Sequence, residues 1–371
     1  MTSMTRKEFL ATTGTLVAAS VLTPAWAALD SDTVNVGLIG VGSRGNVHLD
    51  KLLSIPGVRV VAICDLKPDH LAAAQKKVTD AGQPKPFGTA DWKKLLELKE
   101  VQAVTSALPV DLHFDAYQDV LGAGKDLYGE KPMCLTIPQC DQLIAAEKKS
   151  GKIVQIGFQR RADPRFIEPM KLVHAGELGQ LVEGRVCWSN SWGPLTDWFG
   201  KKERSGDWMV EQAVHNWDIM NWANACKPKR AMGLGMDTFF KDRQPDRNVH
   251  DYYSGVLEYE NGVVVNIIHS WVPPRMFDKE YSYLIGLKAG VDFNSGKFSY
   301  RGNEREDRLG YTGDANIDNS KLAFEAFIKS VRTRSPSIAP PSIGRDAVLT
   351  CTLMREAVYK QRCVTLKEIG G

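Results

Sequence analysis

Three glycines close a short apolar run, TVNVGLI at 33–39, with the spacing Gly40-x-Gly42-x-x-Gly45. A strand that ends in such a turn and passes into a helix makes a cradle for a dinucleotide. Gly40 permits the tight turn, Gly42 lets the backbone approach a pyrophosphate, and Gly45 lets the helix lie close to the strand. The helix starts near Ser43 and Arg44 and offers free N–H groups to phosphate. A glycine turn alone can be merely structural. Here a second apolar run, Val58 to Cys64, ends at Asp65, 20 residues beyond Gly45, where a carboxylate accepts hydrogen bonds from adenosine ribose hydroxyls. The same carboxylate repels a 2′-phosphate and favours NAD over NADP. Arg44 and Lys67 offset that preference if their loop bends toward the phosphate, and are otherwise solvated surface charge.

A second group lies in the stretch SGDWMVEQAVHNWDIMNW, where Glu211, His215 and Asp218 have the spacing of one helix face. A carboxylate four residues before an imidazole can orient the ring and stabilise its charged form. His215 reads equally well as a core histidine, and Asp218 either pairs locally or touches substrate. Lys131 follows a strand read at Lys125 to Tyr128, in Gly129-Glu130-Lys131-Pro132. Oxidation of an alcohol needs a group to take the hydroxyl proton, and lysine and histidine both suit that work.

These residues need a scaffold, and the alternation supplies one. Asp91 to Leu98 reads as a helix, Val101 to Leu108 as a strand, Phe114 to Ala123 as a helix and Lys125 to Tyr128 as a strand. Strand–helix alternation of this kind predicts an α/β Rossmann domain, a doubly wound parallel sheet over residues 33–157. Ligands in that architecture sit beyond the carboxyl ends of the strands, and Leu108-Pro109 and Glu130-Lys131 occupy two such ends. Arg160 and Arg161 follow another strand, Ile153 to Ile156, and either reach substrate or form a solvated pair.

From about residue 181 the pattern turns to longer alternating strands, Leu181 to Trp192, Arg230 to Phe239 and Val256 to Trp271, the last broken by a tight-turn signal at Glu260-Asn261-Gly262. This predicts an α+β domain at 158–340 with an open, mostly antiparallel sheet, its free face offered to another subunit in a homo-oligomer. Residues 341–371 are expected to form a C-terminal helix and tail that pack back on the first domain. Seven of the nine tryptophans fall between Trp188 and Trp271. Trp217 and Trp222 read as helix core, whereas Trp198 and Trp208, in an irregular stretch, are candidates for stacking on a sugar.

The motifs in order resemble the glucose-fructose oxidoreductase, inositol dehydrogenase and rhizopine-catabolism family (Gfo/Idh/MocA). They are GVGSRG at 40–45, Leu108-Pro109-x-x-x-His113, Glu130-Lys131-Pro132, GFQRR at 157–161, Gly176-Glu-Leu-Gly179 and Glu211-x-x-x-His215-x-x-Asp218. The resemblance implies a two-domain NAD(P)-dependent oxidoreductase acting on a sugar or polyol. It implies that Lys131, Glu211 and His215 surround the reacting carbon, and that His113 lies near the nicotinamide end or packs its loop. Glu211 stands where many members have Asp, and Ala213 where many have Gly.

Composition excludes several alternatives. The chain of 371 residues carries a net charge of only +3, with its basic residues dispersed, which argues against a nucleic-acid partner. The seven cysteines show no CxxC spacing, so no metal site is implied. Residues 1–27 read as a signal peptide: Thr5-Arg6-Lys7-Glu8-Phe9-Leu10, an apolar run to Leu22, then Ala25-Trp26-Ala27. The charged part resembles a twin-arginine export signal with Lys7 in place of the second arginine. The expected location is the periplasm or beyond, with no membrane contact after the leader is removed. An exported dehydrogenase has no free NAD pool to draw on, so a tightly held cofactor is expected. Two further readings remain open: a redox-neutral glycoside hydrolase, lyase or epimerase using transient oxidation, and a non-catalytic sugar-binding protein with structural NAD.

Overall fold

The computed structural model describes residues 33–191, 198–302 and 306–371. The leader pattern at 1–27 and Trp192 lie outside the described residues. Six parallel strands, β1 (Val34–Ile39), β2 (Val58–Cys64), β3 (Phe87–Thr89), β4 (Ala103–Ser106), β5 (Asp126–Gly129) and β6 (Val154–Ile156), pair in the order β3-β2-β1-β4-β5-β6. Helices α1 (Ser43–Leu53), α2 (Pro68–Asp80), α3 (Trp92–Leu96), α4 (His113–Gly122) and α5 (Ile137–Ser150) connect them. The order reverses between β1 and β4, so a crevice opens beyond their carboxyl ends, which is where ligands bind in such sheets.

β1 is buried on both faces, as a central parallel strand must be. On one face Val36 and Leu38 pack with Leu49 and Leu52 of α1; on the other, Leu95, Tyr117, Val120 and Leu143 of α3, α4 and α5 belong to a second core. The local signals are sharp where the helices start. Asp91 caps α3 by accepting from the Lys93 amide at 2.9 Å, and Thr136 and Gln139 form a reciprocal capping box on α5.

A second sheet runs in the order β14-β13-β12-β11-β7-β10-β9-β8-β15. Its strands are β7 (Leu181–Ser189), β8 (Pro228–Met236), β9 (Tyr252–Tyr259), β10 (Val264–Ser270), β11 (Lys279–Gly286), β12 (Ala289–Asp292), β13 (Lys297–Tyr300), β14 (Arg308–Leu309) and β15 (Val364–Thr365). Among the described residues only β7 and β10 of this sheet pair in parallel, and Gly262, at φ +83°, makes the turn between β9 and β10. The doubly wound sheet and the mostly antiparallel sheet expected from the sequence are therefore both present. The inner face of the second sheet is covered by α6 (Pro164–His174), α8 (Trp208–Glu211) and α9 (Val214–Asn224), with the short α7 (Lys202–Ser205) just before α8. Its other face exposes Met232, Leu234, Met236, Val256, Val264 and Ile268. Among the described residues no helix is long and apolar enough to cross a membrane.

Two helices depart from a simple division of the chain. α10 (Asn319–Thr333) falls in the segment 158–340 but lies on the first sheet, where Phe324 stacks on Tyr128 at 4.3 Å and the Ala323 carbonyl accepts from Gln155. α11 (Pro341–Lys360) rests on α9 and β8 and also on α5 and β6, so it joins both sheets.

Candidate active site

The glycine turn shows which of its glycines the protein itself requires. Gly40 has φ +82°, and a Cβ there would lie 2.5 Å from the Ala107 carbonyl oxygen; a Cβ on Gly45 would lie 2.0 Å from that of Gly40. Both are obligatory for the fold. At Gly42 the nearest atom to an added Cβ is His70, at 3.9 Å, so packing does not demand glycine there. That open space at the start of α1, where Gly42 is an N-cap without a side-chain bond, fits a diphosphate group on the free first-turn amides. Ser43 is exposed at the first helical position.

Asp65 secures this turn. Its Oδ2 accepts from the Val41 amide at 2.8 Å and its Oδ1 from the Lys67 amide at 2.9 Å, leaving lone pairs for ribose hydroxyls at the end of β2. Arg44 turns the other way. Its Nε donates to Glu130 Oε1 at 2.6 Å, so the guanidinium is tied to the far wall of the crevice instead of standing ready for a 2′-phosphate. This corrects one sequence expectation and strengthens the case for NAD.

Glu130 is a structural hub. Its Oε1 also accepts from His48 at 2.9 Å and its Oε2 from the Lys131 amide at 3.1 Å. Burial pushes its carboxyl up, but Arg44, His48 and Lys131 outweigh that and hold it well below the usual range. The side chain is 5% exposed and its oxygens are taken by Arg44, His48 and the Lys131 amide, so it braces the wall where a cofactor contact was expected. Gly157 makes room for it, since a Cβ there would lie 2.9 Å from Oε2.

His113 is corrected in the same sense. Its ring is 1% exposed, with Nδ1 2.8 Å from the Pro132 carbonyl and Nε2 2.9 Å from that of Leu108. It ties the Leu108-Pro109 loop to the loop carrying Lys131, and has no edge left for a ligand. Burial lowers its affinity for a proton.

Lys131 Nζ donates to Glu211 Oε1 at 2.6 Å and to the Glu211 carbonyl at 2.7 Å. An ammonium has three donors, and this leaves one unassigned. Glu211 therefore holds the lysine and not His215, contrary to the expectation of one helix face. The cause is a break in the helix: α8 ends at Glu211, and α9 starts at Val214. Gln212 between them turns inward, its Oε1 accepting from His269 at 2.8 Å and Trp271 at 3.1 Å.

His215, 6% exposed, stands edge-on to Phe158 with ring centres 6.1 Å apart, and its buried Nδ1 has no partner among the described residues. Burial first, then Lys131 and Arg160, hold its pKa well below 6.5, so the imidazole is neutral at physiological pH. Asp218 does not face a ligand: it is 2% exposed and engages Arg161 through contacts of 2.8 to 3.0 Å, while Arg161 stacks on Trp222 at 4.6 Å.

Arg160 is not a solvated arginine. It pairs with Glu280 and lies over Trp188, whose ring is 6.4 Å from that of His215. Trp208 is core, fully buried against His269, Tyr253 and Trp271, so its candidacy as a sugar contact fails. Trp198 is half-buried against Phe199, their ring centres 5.4 Å apart. The aromatic that does approach the crevice is Trp188, which sequence reasoning passed over. Its signal was its place at the carboxyl end of β7, level with Glu280 on β11.

Residues 34–158 match the family described as oxidoreductases with an NAD-binding Rossmann fold, and residues 167–285 match the C-terminal domain of the same GFO/IDH/MocA family. The two matches together take in more than half of the chain. It belongs to the Gfo/Idh/MocA family. Among relatives, this Gfo/Idh/MocA chain is similar to inositol 2-dehydrogenase of Salmonella paratyphi B, 32% identical over 194 residues, which are 51% of this chain and 54% of that one. It is also similar to inositol 2-dehydrogenase 2 of Saccharopolyspora erythraea, 30% identical over 248 residues, 63% of this chain and 66% of that one. The chain thus spans about half the length of the first of these relatives. In fold it is similar to the aldose-aldose oxidoreductase of Caulobacter crescentus, with TM-score 0.78 at 17% identity over 90% of this chain and 99% of that one.

Proposed function

We propose that this chain is an NAD-dependent dehydrogenase that oxidises a secondary alcohol of a sugar or cyclic polyol. The observation that carries the reading is the meeting of three features at one end of the parallel sheet: a glycine turn with space for a diphosphate at Gly42, a lysine with one donor to spare, and a buried neutral histidine beside it. The names of the inositol dehydrogenase relatives support the substrate class.

When bound, NAD supplies the hydride acceptor. The chain's own residues handle the proton. His215, neutral and shielded by Phe158 and Trp188, accepts the proton of the reacting hydroxyl. Lys131 directs its third N–H at the same oxygen and steadies the charge that builds there. Glu211, gripping Lys131 through both its carboxylate and its carbonyl, fixes where that N–H points. The leader pattern at 1–27 supports export, and the proposal includes an exported dehydrogenase that keeps its NAD, the bound NADH being reoxidised by a second, carbonyl-bearing substrate. The test is NADH formation, followed by absorbance, when the full chain and NAD meet a panel of inositols and aldoses. A rate that vanishes in Lys131→Met supports the reading, and no NADH from any member of the panel sinks it.

A further inference from the structure

Each cation around His215 is matched by a carboxylate. Lys131 pairs with Glu211, Arg160 with Glu280, Arg161 with Asp218 and Arg44 with Glu130. Lys131, Arg160 and Arg44 are close enough to weaken proton binding at His215, so these pairs define the electrostatics of the reaction zone. The zone is rich in charges yet balanced.

Arg44 and Arg160 each keep a buried guanidinium nitrogen without a partner among the described residues, and Arg160 is the one set against Trp188. Its Nη2 is on Glu280, while its Nη1 is buried without a partner. Trp188 and Glu280 are register partners on β7 and β11, so their side chains leave the sheet side by side, and the guanidinium sits 5.7 Å from the Trp188 ring centre. Asn294 donates to Glu280 at 3.1 Å, and the side-chain oxygens of Asn294 and Asn190 are likewise buried without partners. A buried donor left unpaired is costly, and the Arg160 guanidinium sits over Trp188, whose ring neighbours that of His215.

The chemistry that satisfies them is a hydroxyl. A hydroxyl both donates and accepts, and needs no counter-charge. A carboxylate or phosphate would give up its hydration to enter a zone whose cations are already neutralised by Glu211 and Glu280. We propose that Arg160 and Glu280, set beside Trp188, form a hydroxyl subsite that selects an uncharged polyol over its carboxylated or phosphorylated analogue. The inference rests on the reading of the crevice as a polyol site and names the chemical class that site takes.

Calorimetry on the NADH-loaded full chain tests it with two matched pairs: glucose against glucuronate, and myo-inositol against myo-inositol 1-phosphate. At least one pair is expected to show the neutral member binding about tenfold or more tighter than the charged one, with neither pair reversed. Glu280→Gln keeps the shape but uncovers the Arg160 charge, and should shrink that ratio by about tenfold or more. Arg160→Gln should weaken the neutral member about tenfold while NADH affinity stays within about twofold, which shows that the variant is folded. Equal or tighter binding of the charged members, an unchanged ratio in Glu280→Gln, or no binding of any member overturns the proposal. NADH formation from NAD is read separately: selective binding without reduction contradicts the dehydrogenase reading and leaves the subsite standing.

Discussion

One turn apart on α4, His113 and Tyr117 hold the carbonyls on either side of Lys131. His113 Nδ1 is 2.8 Å from the Pro132 oxygen, and Tyr117 OH donates to the Glu130 oxygen at 2.9 Å. Their rings stack with centres 5.1 Å apart, and the Tyr117 ring fits because residue 129 is glycine, where a Cβ would lie 2.7 Å from it. The loop that carries Lys131 is thus held on both sides by one helix.

Loosening this grip should slow the reaction without emptying the dinucleotide site. Tyr117→Phe removes one hydrogen bond of about 1 kcal/mol, and kcat is expected to fall roughly fivefold to tenfold. NADH affinity, read by fluorescence titration, should be unchanged. Equal losses in both would mean that Tyr117 acts on the fold at large.

The glycine turn separates folding from binding. Gly42→Ala should shift stability by no more than about 0.5 kcal/mol, because nothing in the protein contests the space, while weakening NADH about tenfold or more. Gly45→Ala places a carbon 2.0 Å from the Gly40 carbonyl oxygen and should leave little folded protein. Thermal melts and NADH titrations on the two variants read the contrast.

Lys131 and Glu211 should lose activity unequally. Lys131→Met is expected to lower kcat by about 10²–10⁴-fold. Glu211→Gln keeps the carbonyl that also receives the lysine and should cost less, about tenfold to a hundredfold. A larger loss in Glu211→Gln than in Lys131→Met would show that the carboxylate, and not the lysine, meets the substrate.

As the proposed base, His215 should set the acid side of the pH profile. Because its pKa lies well below 6.5 in the folded chain, the fall of kcat/KM on acidification should come below that value. Stability follows the same sign. Between the folded pKa and 6.5 the unfolded chain binds a proton that the folded chain does not, so stability declines as pH drops below 6.5. His48, His113 and His269 are also buried and depressed and add to this slope. Melts as a function of pH should show His215→Gln declining less steeply than the parent chain.

The sequence carried the fold because its signals were local. Glycine spacing, strand–helix alternation and the turn at Gly262 each act over a few residues, and each appears in the structure where it was read. The site was legible in its members but not in their partnerships. Lys131, Glu211, His215, Arg160, Arg161 and Asp218 were all singled out, yet helical spacing assigned Glu211 to His215. The break at Gln212 depends on His269 and Trp271, more than fifty residues away, and no local pattern reports it. Arg44 and His113 were drawn toward the cofactor by their place in motifs, whereas Glu130 and two carbonyls hold them. Trp208 was read from a loop-like neighbourhood, but the aromatic cluster that buries it is assembled from β9 and β10.

The central claim is a hydride passing from a polyol carbon to a nicotinamide in this crevice. Incubating the full chain with NAD and myo-inositol deuterated at every carbon, then weighing the reduced nucleotide by mass spectrometry, tests it most directly. The account predicts a reduced nucleotide one deuterium heavier than NADH, absent in Lys131→Met. Reduced nucleotide carrying no deuterium, or none formed from deuterated and ordinary polyols alike, would contradict it.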